Sequence, residues 1–270
     1  MTRTFLIWCV LTVTAAGADP GALFGEAENL SRSKRKAEAM AKVEEAVAEI
    51  DRALAAGEDV SWHGMNGLRF AANLAREDFL DFEKALSFSD KQFEIADTDY
   101  WRTPARLERA LTYRAMGKFD KAQREYDAIA QGDERHRTSG IMPQAQMVYF
   151  DMGETARGRQ LLTAAMMNED INGNERFGTL RKCAQAAVAE GCRDDAVGWY
   201  ALTEKMPFGK ETDRARFLTQ AWYEMGQLEE SRGNTSQAKG LYRRAMQLED
   251  GDMRYRTRAR DALEGIGYFE

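Results

Sequence analysis

A spacing pattern that recurs four times constrains the fold of this chain more than any other feature. Each copy has a glycine, a small residue five positions later, and a large apolar residue four positions after that. The glycines are Gly117, Gly153, Gly191 and Gly233, so the steps between copies are 36, 38 and 42 residues. The residues that follow them are Ala122 and Tyr126, Gly158 and Leu162, Ala196 and Tyr200, and Ala238 and Tyr242. Self-similarity at such a period indicates a repeated supersecondary unit.

A pair of helices explains this spacing. Glycine adopts a left-handed conformation without a steric penalty, so it can end one helix and let the chain reverse. The small residue on the next helix lets two backbones approach, and the large residue one turn later fills the space beside it. One pair cannot bury its apolar face alone, so we expect neighbouring pairs to stack. A fifth, weaker copy has Leu80 at the glycine position and Ala85 at the small one.

The composition agrees with an all-helical fold. Only 4 prolines occur, and the chain is rich in unbranched side chains, which lose little rotamer freedom in a helix. Hydrophobic residues make up 44% and charged residues 30%, which indicates a globular chain rather than a disordered one. The net charge of −6 lacks the basic character expected of a nucleic-acid binder.

In period and pattern, the four copies resemble the tetratricopeptide repeat family. The segment with Trp222, Gly226, Ala238, Tyr242 and Ala245 matches the family's consensus spacing most closely. The resemblance implies an all-α fold, an α-solenoid of about five helix pairs with an N-terminal helix and a C-terminal capping helix. It also implies a concave groove lined by the first helix of each pair. In this family, that groove commonly receives an extended peptide or a helix.

The chain divides into four predicted regions. Residues 1–18 form a signal peptide and residues 19–60 an N-terminal helical segment. Residues 61–250 form the repeat domain, and residues 251–270 a capping helix and tail.

The signal peptide is predicted from three adjoining features. Arg3 gives a positive start, residues 5–13 are apolar, and residues 16–18 are a small-residue cleavage site. The apolar run is shorter than the roughly 18 residues that cross a bilayer. We therefore expect a protein that is exported to the bacterial periplasm and has no stable membrane insertion after cleavage.

The N-terminal segment carries apolar residues alternately three and four positions apart. They are Met40, Val43, Val47, Ile50 and Leu54. This is heptad spacing, but it lasts for only about two heptads, fewer than a coiled coil usually needs. Two interpretations stay open: the helix covers the first repeat, or the chain weakly self-associates through residues 26–56.

Transferring the inward-facing positions of the resembled family to this chain gives nine groove residues. They are Leu107, Leu111, Arg114, Met147, Phe150, Arg181, Gln185, Tyr223 and Gln227. This mixture suits a partner peptide with both apolar and polar anchors. The apolar members have a second interpretation, in which they pack between neighbouring helices.

The C-terminal end is locally basic within an acidic chain. Arg254 and Arg258 share one helical face, while Arg256 and Arg260 share another. Either these arginines form a patch for an acidic partner or an anionic envelope surface, or they are a solubilising cap that pairs with acidic neighbours.

No motif predicts catalysis, a metal or a cofactor. Residues 168–173 resemble a calcium loop, but Thr179 stands where a bidentate glutamate is needed. Residues 209–210 lack the upstream glycine and the hydroxyl of a P-loop. Cys183 is predicted in mid-helix and Cys192 just past the helix end, which is too far apart for a disulfide of normal geometry. An oxidising compartment would allow the two to pair, so both states stay open.

The sequence thus predicts a protein–protein interaction scaffold or adaptor rather than an enzyme, with a protein partner and no cofactor. Two other classes stay open. A superhelical enzyme acting on a cell-envelope polymer would need convergent acids in a cleft. A self-assembling structural subunit would use the N-terminal helix.

Overall fold

A computed structural model describes residues 18–60, 62–132 and 138–267, so the predicted signal peptide lies almost entirely outside the described residues. The described part is all-helical, and it contains no strand. Its thirteen α-helices are α1 Pro20–Arg32, α2 Lys36–Ala55, α3 Trp62–Asp78, α4 Phe82–Ile95, α5 Asp99–Ala115, α6 Phe119–Ala130, α7 Ile141–Gln146, α8 Thr155–Met166, α9 Gly173–Ala189, α10 Arg193–Ala201, α11 Glu211–Ser231, α12 Thr235–Gln247 and α13 Met253–Gly265. A π-helical turn, Met147–Asp151, follows α7, and a 3-10 turn, Leu202–Glu204, follows α10.

Packing divides the chain into two compact units, one ending at Glu125 and one beginning at Tyr126. The core of the first unit draws on α1, α2, α3 and α4 together. The core of the second includes Ala259 and Leu263 of α13. Neither the N-terminal segment nor the capping helix therefore has a core of its own.

The reversals between paired helices have the predicted geometry. Gly117, Gly153, Gly191 and Gly233 all have left-handed backbones, with φ between 68° and 80°. At the first of these turns, the Lys118 N–H donates to the Tyr113 carbonyl at 2.8 Å, which satisfies a carbonyl at the end of α5. The glycine positions inferred from spacing are thus confirmed as helix ends.

The small and large positions of the pattern are buried as predicted. Ala122, Ala196 and Ala238 are fully buried, and the large residues four positions further on are at most 4% exposed. Gly226 shows why a small residue is needed: a Cβ there would lie 2.5 Å from Cε1 of Tyr242. The paired helices therefore pack closer than a larger side chain would allow.

The N-terminal segment differs from the prediction, because it is two helices rather than one. The chain reverses at Lys34, which has a left-handed φ of 62°. Ala39 and Val43, five and nine residues later, are fully buried. This is the same pattern with lysine in place of glycine, so the first helix pair begins earlier in the chain than the glycines indicated.

Most of the apolar side chains with heptad spacing on α2 are buried in the first unit. Met40, Val43 and Ile50 belong to the core of the first unit, and Val47 packs against it. Only Leu54, at 40% exposure, is left on the surface. This burial favours the interpretation of α2 as a packed helix, while self-association stays a prediction.

Within each unit, the first helix of one pair contacts the first helix of the next. In the first unit, the guanidinium of Arg76 on α3 pairs with the Glu108 carboxylate on α5 at 2.7 Å, and both side chains are buried. In the second unit, contacts join α7 to α9, α9 to α11 and α11 to α13. They are Gln146 with Thr179, Phe177 with Phe217, and Tyr223 with Tyr255.

Candidate functional site

The nine predicted groove residues fall in both units. Leu107, Leu111 and Arg114 lie on α5 in the first unit, where all three are partly exposed. The other six lie in the second unit, on the π-helical turn, α9 and α11. Because these six share one unit, their mutual arrangement can be described.

Two predicted residues, Arg181 and Arg258, act on one carboxylate that the sequence analysis did not select. Glu224 of α11 is partly buried, and burial raises its pKa above the ordinary value. The charges of Arg181 on α9 and Arg258 on α13 both oppose that increase. The charge of Arg258 also acts on Tyr223, the residue before Glu224. The helices α9, α11 and α13 therefore contribute charges to one local site.

Aromatic rings lie beside these charges. The ring of Tyr223 lies 5.6 Å from that of Tyr255 on α13, measured between centroids. The guanidinium carbons of Arg254 and Arg258 lie 4.6 Å and 5.5 Å from the Tyr255 centroid. Cations over an aromatic face are attracted to it, so the Tyr255 ring attracts both arginines, and Arg258 also acts on Tyr223.

One donor at this site, Nε of Arg181, has no hydrogen-bond partner among the described residues. The side chain of Gln220, which is 8% exposed, instead forms a hydrogen bond with Glu224 that opposes the increase in the pKa of that carboxyl. Unpartnered buried donors are uncommon in folded proteins. We use the name Tyr223 surface for the set Arg181, Gln220, Tyr223, Glu224, Tyr255 and Arg258.

Tyr200 of α10 forms a hydrogen bond with Arg181 of the Tyr223 surface. It is 4% exposed. Burial, assisted by the Glu224 carboxylate, raises the pKa of Tyr200, while Arg181 opposes the increase. Its hydroxyl therefore stays protonated near neutral pH and supplies no negative charge to the surface.

Gln185 and Gln227 are exposed and flank the Tyr223 surface. Each lies one helical turn beyond a member of the surface, Gln185 after Arg181 and Gln227 after Tyr223, so each shares a face with that member. Their positions agree with the prediction that α9 and α11 present polar side chains on one side.

The π-helical turn separates the other two predicted residues. Phe150 is 36% exposed and packs edge to face on Tyr149, whereas Met147 is fully buried. Met147 is thus a correction to the predicted groove. A π-turn has more residues per turn than an α-helix, so α-helical spacing could not assign both side chains to one face. Gly158 packs closely against this turn. A Cβ at residue 158 would lie 2.5 Å from the Tyr149 Cα, so a larger residue would displace the turn.

The four arginines of the predicted basic patch do not act together. Nε of Arg256 donates to the Met246 carbonyl at 3.0 Å, and Arg260 pairs with Asp261 at 3.5 Å. Within the described ranges, neither Arg254 nor Arg258 has a carboxylate within 4.0 Å. The patch therefore divides into two arginines with local structural contacts and two that lie on Tyr255.

A second surface lies in the first unit. A cavity of about 370 Å³ opens between α1, α3 and α5, lined by Glu28, Ser31, Arg32, Asn66, Arg69, Phe70, Asn73 and Glu108. Leu107 and Leu111 do not line it. The cavity contains side chains of both charges and one aromatic ring.

Other expectations can be compared with the described residues. Cys183 is buried, Cys192 is exposed, and both are free thiols. Burial raises the pKa of the Cys183 thiol to about 12. In the described part of the chain, no three His, Cys, Asp or Glu side chains lie close enough together to hold a metal ion. No helix in that part is long and apolar enough to cross a membrane.

Sequence reasoning missed Gln220, Glu224 and Tyr255. One signal was available: polar residues at positions 220, 224 and 227 follow helical spacing within residues 217–228 of α11, where the other positions are mostly apolar. Tyr255 gave no such signal, because only the packing of α13 against α11 places it beside Tyr223.

Comparison with known proteins adds no family assignment. The chain matches no protein-family model, and no curated protein matches it significantly in sequence.

Proposed function

We propose that this chain is a protein-interaction scaffold or adaptor that binds a partner peptide or helix on the first helices of its pairs. The Tyr223 surface carries this proposal, because it combines two arginines that are at least partly exposed, aromatic rings and the unpartnered Nε of Arg181 on α9, α11 and α13. Tyrosine and arginine are enriched among the residues that dominate binding energy at protein interfaces. An unpartnered donor gains a hydrogen bond when a partner supplies an acceptor.

The proposal includes a tetratricopeptide-like solenoid. The recurring turn and its buried small and large positions support it, as do the contacts between consecutive first helices within each unit. Stacked pairs of this kind expose the first helices along one side, which suits an elongated ligand.

The proposed location is outside the cytoplasm, in a bacterial periplasm. Arg3, the apolar residues 5–13 and the small residues 16–18 support it. A partner would then be another exported protein or the periplasmic part of a membrane protein.

Site-specific photo-crosslinking in intact cells tests the binding surface and captures the partner. A photoreactive amino acid is placed at Gln185 or Gln227, exposed on the first helices α9 and α11. Matched controls are Gln160 and Gln247, exposed glutamines on the second helices α8 and α12. We expect a discrete crosslinked product from the first pair of positions and none from the controls.

Two other results would contradict the proposal. Equal products from all four positions would mean that the first helices are not the binding face. A product of twice the mass of the chain would indicate self-assembly instead of a separate partner.

A further inference from the structure

A cavity of about 410 Å³ lies in the second unit, between the connections that precede α9 and α11. The first connection contributes residues 169–172, and the second contributes residues 208–210. The first turns of both helices also line the cavity. It shares no residue with the Tyr223 surface, so it is independent of the function proposed above.

Arg176 lines this cavity, and its guanidinium forms no salt bridge with any described residue, although the more distant Glu169 carboxylate acts on it. Its side chain is 3% exposed, yet no carboxylate of the described residues lies within 4.0 Å of it. Nη1 donates to the Met166 carbonyl at 3.1 Å, while the buried Nε has no partner. A buried charge without a partner is strongly destabilising, so an anion at this position would remove a cost that the free protein bears.

The guanidinium is directed at the start of α9. Nη2 of Arg176 lies 3.8 Å from the position that a Cβ on Gly173 would take, and Gly173 is the first residue of that helix. The start of α11 has Lys210 as its N-cap, with no side-chain capping bond. At the start of α9, Oδ1 of Asn172 already accepts from the Asn174 N–H at 2.8 Å, so this end contributes its partial positive charge rather than that N–H. Helix N-termini carry partial positive charge, which favours anions.

Charged groups of both signs face the cavity. Besides Arg176, they are Lys210 and the carboxylates of Glu169, Asp170 and Asp213. Asp213 is already paired with Arg216 at 3.3 Å. Glu169 and Asp170 are exposed, so water and salt screen their charges far more than that of buried Arg176. Burial lowers the pKa of Arg176, and Glu169 opposes this only in part.

We propose that this cavity binds an anionic group, a phosphate or a carboxylate, at Nη2 of Arg176. Nη2 carries two N–H donors, and hydrogen bonds from a guanidinium to anion oxygens are charge-assisted. Lys210 and the starts of α9 and α11 supply further positive potential. Phe208, whose ring centroid is 5.9 Å from the guanidinium carbon, forms an apolar wall for the rest of the ligand. The site needs no P-loop, because tertiary contacts bring its groups together.

Thermal unfolding of the full chain tests this site. The probes are sodium phosphate and sodium acetate at about 50 mM, each compared with sodium chloride at the same pH and ionic strength. We expect at least one oxyanion to raise Tm by about 2 °C or more over chloride. An increase with phosphate alone identifies a phosphate-bearing ligand, and an increase with acetate identifies a carboxylate.

Arg176→Met separates site binding from general salt effects. The substitution keeps similar bulk and removes the charge, so the oxyanion-specific increase should vanish. Its Tm in chloride should be no lower than that of the unsubstituted chain, since it removes an uncompensated buried charge. Phosphate also stabilises proteins through exclusion from their surface, and that effect would persist in this variant.

Lys210→Gln tests the site independently, in case Arg176→Met does not fold. It should lose more than half of the increase, whereas Lys205→Gln, an exposed lysine outside the cavity, should retain it. The proposal is overturned if neither oxyanion exceeds chloride in the unsubstituted chain. It is equally overturned if Lys210→Gln and Lys205→Gln retain the same increase.

Discussion

Leu80 holds a left-handed backbone conformation, with φ of 54°, and its side chain is 69% exposed. Gly117, Gly191 and Gly233 occupy the equivalent turns with the same sign of φ. This conformation costs leucine about 1–2 kcal/mol, because its Cβ lies too close to the following carbonyl oxygen. Because the exposed side chain regains little by packing, the strain at this turn is not offset locally.

Leu80→Gly should therefore stabilise the chain. Glycine removes the strain but costs about 0.5–1 kcal/mol through the greater freedom of the unfolded chain. The net gain should be about 0.5–1 kcal/mol relative to Leu80→Ala, which shortens the side chain and keeps the strain. Urea unfolding of both variants measures the difference. A glycine variant no more stable than the alanine variant would show that the turn is unstrained.

Residue type predicts some of the turns and not others. The glycines of the repeated pattern predict left-handed turns, because few other residues adopt that conformation readily. Lys34 adopts the same conformation without any signal in its residue type, so the pair α1 and α2 was predicted as one helix. The sequence indicates the turn at Lys34 only through Ala39 and Val43, which have the repeat spacing after it and are buried.

At the scale of helices, close approach at glycine determines how α11 and α12 pack. Gly226 leaves room for the ring of Tyr242, which is fully buried and whose hydroxyl donates to Glu230 at 2.7 Å. Such a contact is predictable, because a small residue opposite an aromatic one recurs in the pattern. The π-helical turn at Met147–Asp151 was not predictable, since no regular spacing identifies it.

Gly226→Ala should destabilise the chain by about 1–3 kcal/mol, because the new methyl group would overlap the Tyr242 ring. Gly240→Ala on α12 is the matched control. Nothing lies within 4 Å of its added Cβ, so it should stabilise the helix by about 0.5–1 kcal/mol. Thermal or urea unfolding compares them, and a similar effect of both substitutions would refute the close contact.

The buried ion pair between α3 and α5 gives a second prediction at this scale. Burial opposes the charge on Arg76, but Glu108 and Glu77 outweigh that cost and raise the pKa of Arg76. Glu108→Leu leaves Arg76 with only Glu77, whose carboxylate is 61% exposed, and should cost roughly 2–4 kcal/mol. Adding Arg76→Met should recover most of this loss. Additive losses in the double variant would show that the two charges are not coupled.

At the scale of the whole molecule, the proposed function depends on groups that come from different helices. Spacing along the chain predicted Arg181, Tyr223 and Arg258 separately, as groove and patch residues. It could not predict that they meet around Glu224, because that depends on the packing of α9, α11 and α13. The identity of a ligand cannot be predicted from the fold either, because the side chains of the first helices can vary without changing it.

The central claim is that the Tyr223 surface recognises the partner. The most direct test is the affinity of the partner captured by crosslinking, measured for Tyr223→Ala, Arg258→Gln, both together, and Gln247→Ala as the control. We predict that the combined variant stays folded and binds at least about tenfold more weakly, equivalent to about 1.4 kcal/mol. The control should bind normally. Unchanged affinity in a folded combined variant would contradict the account.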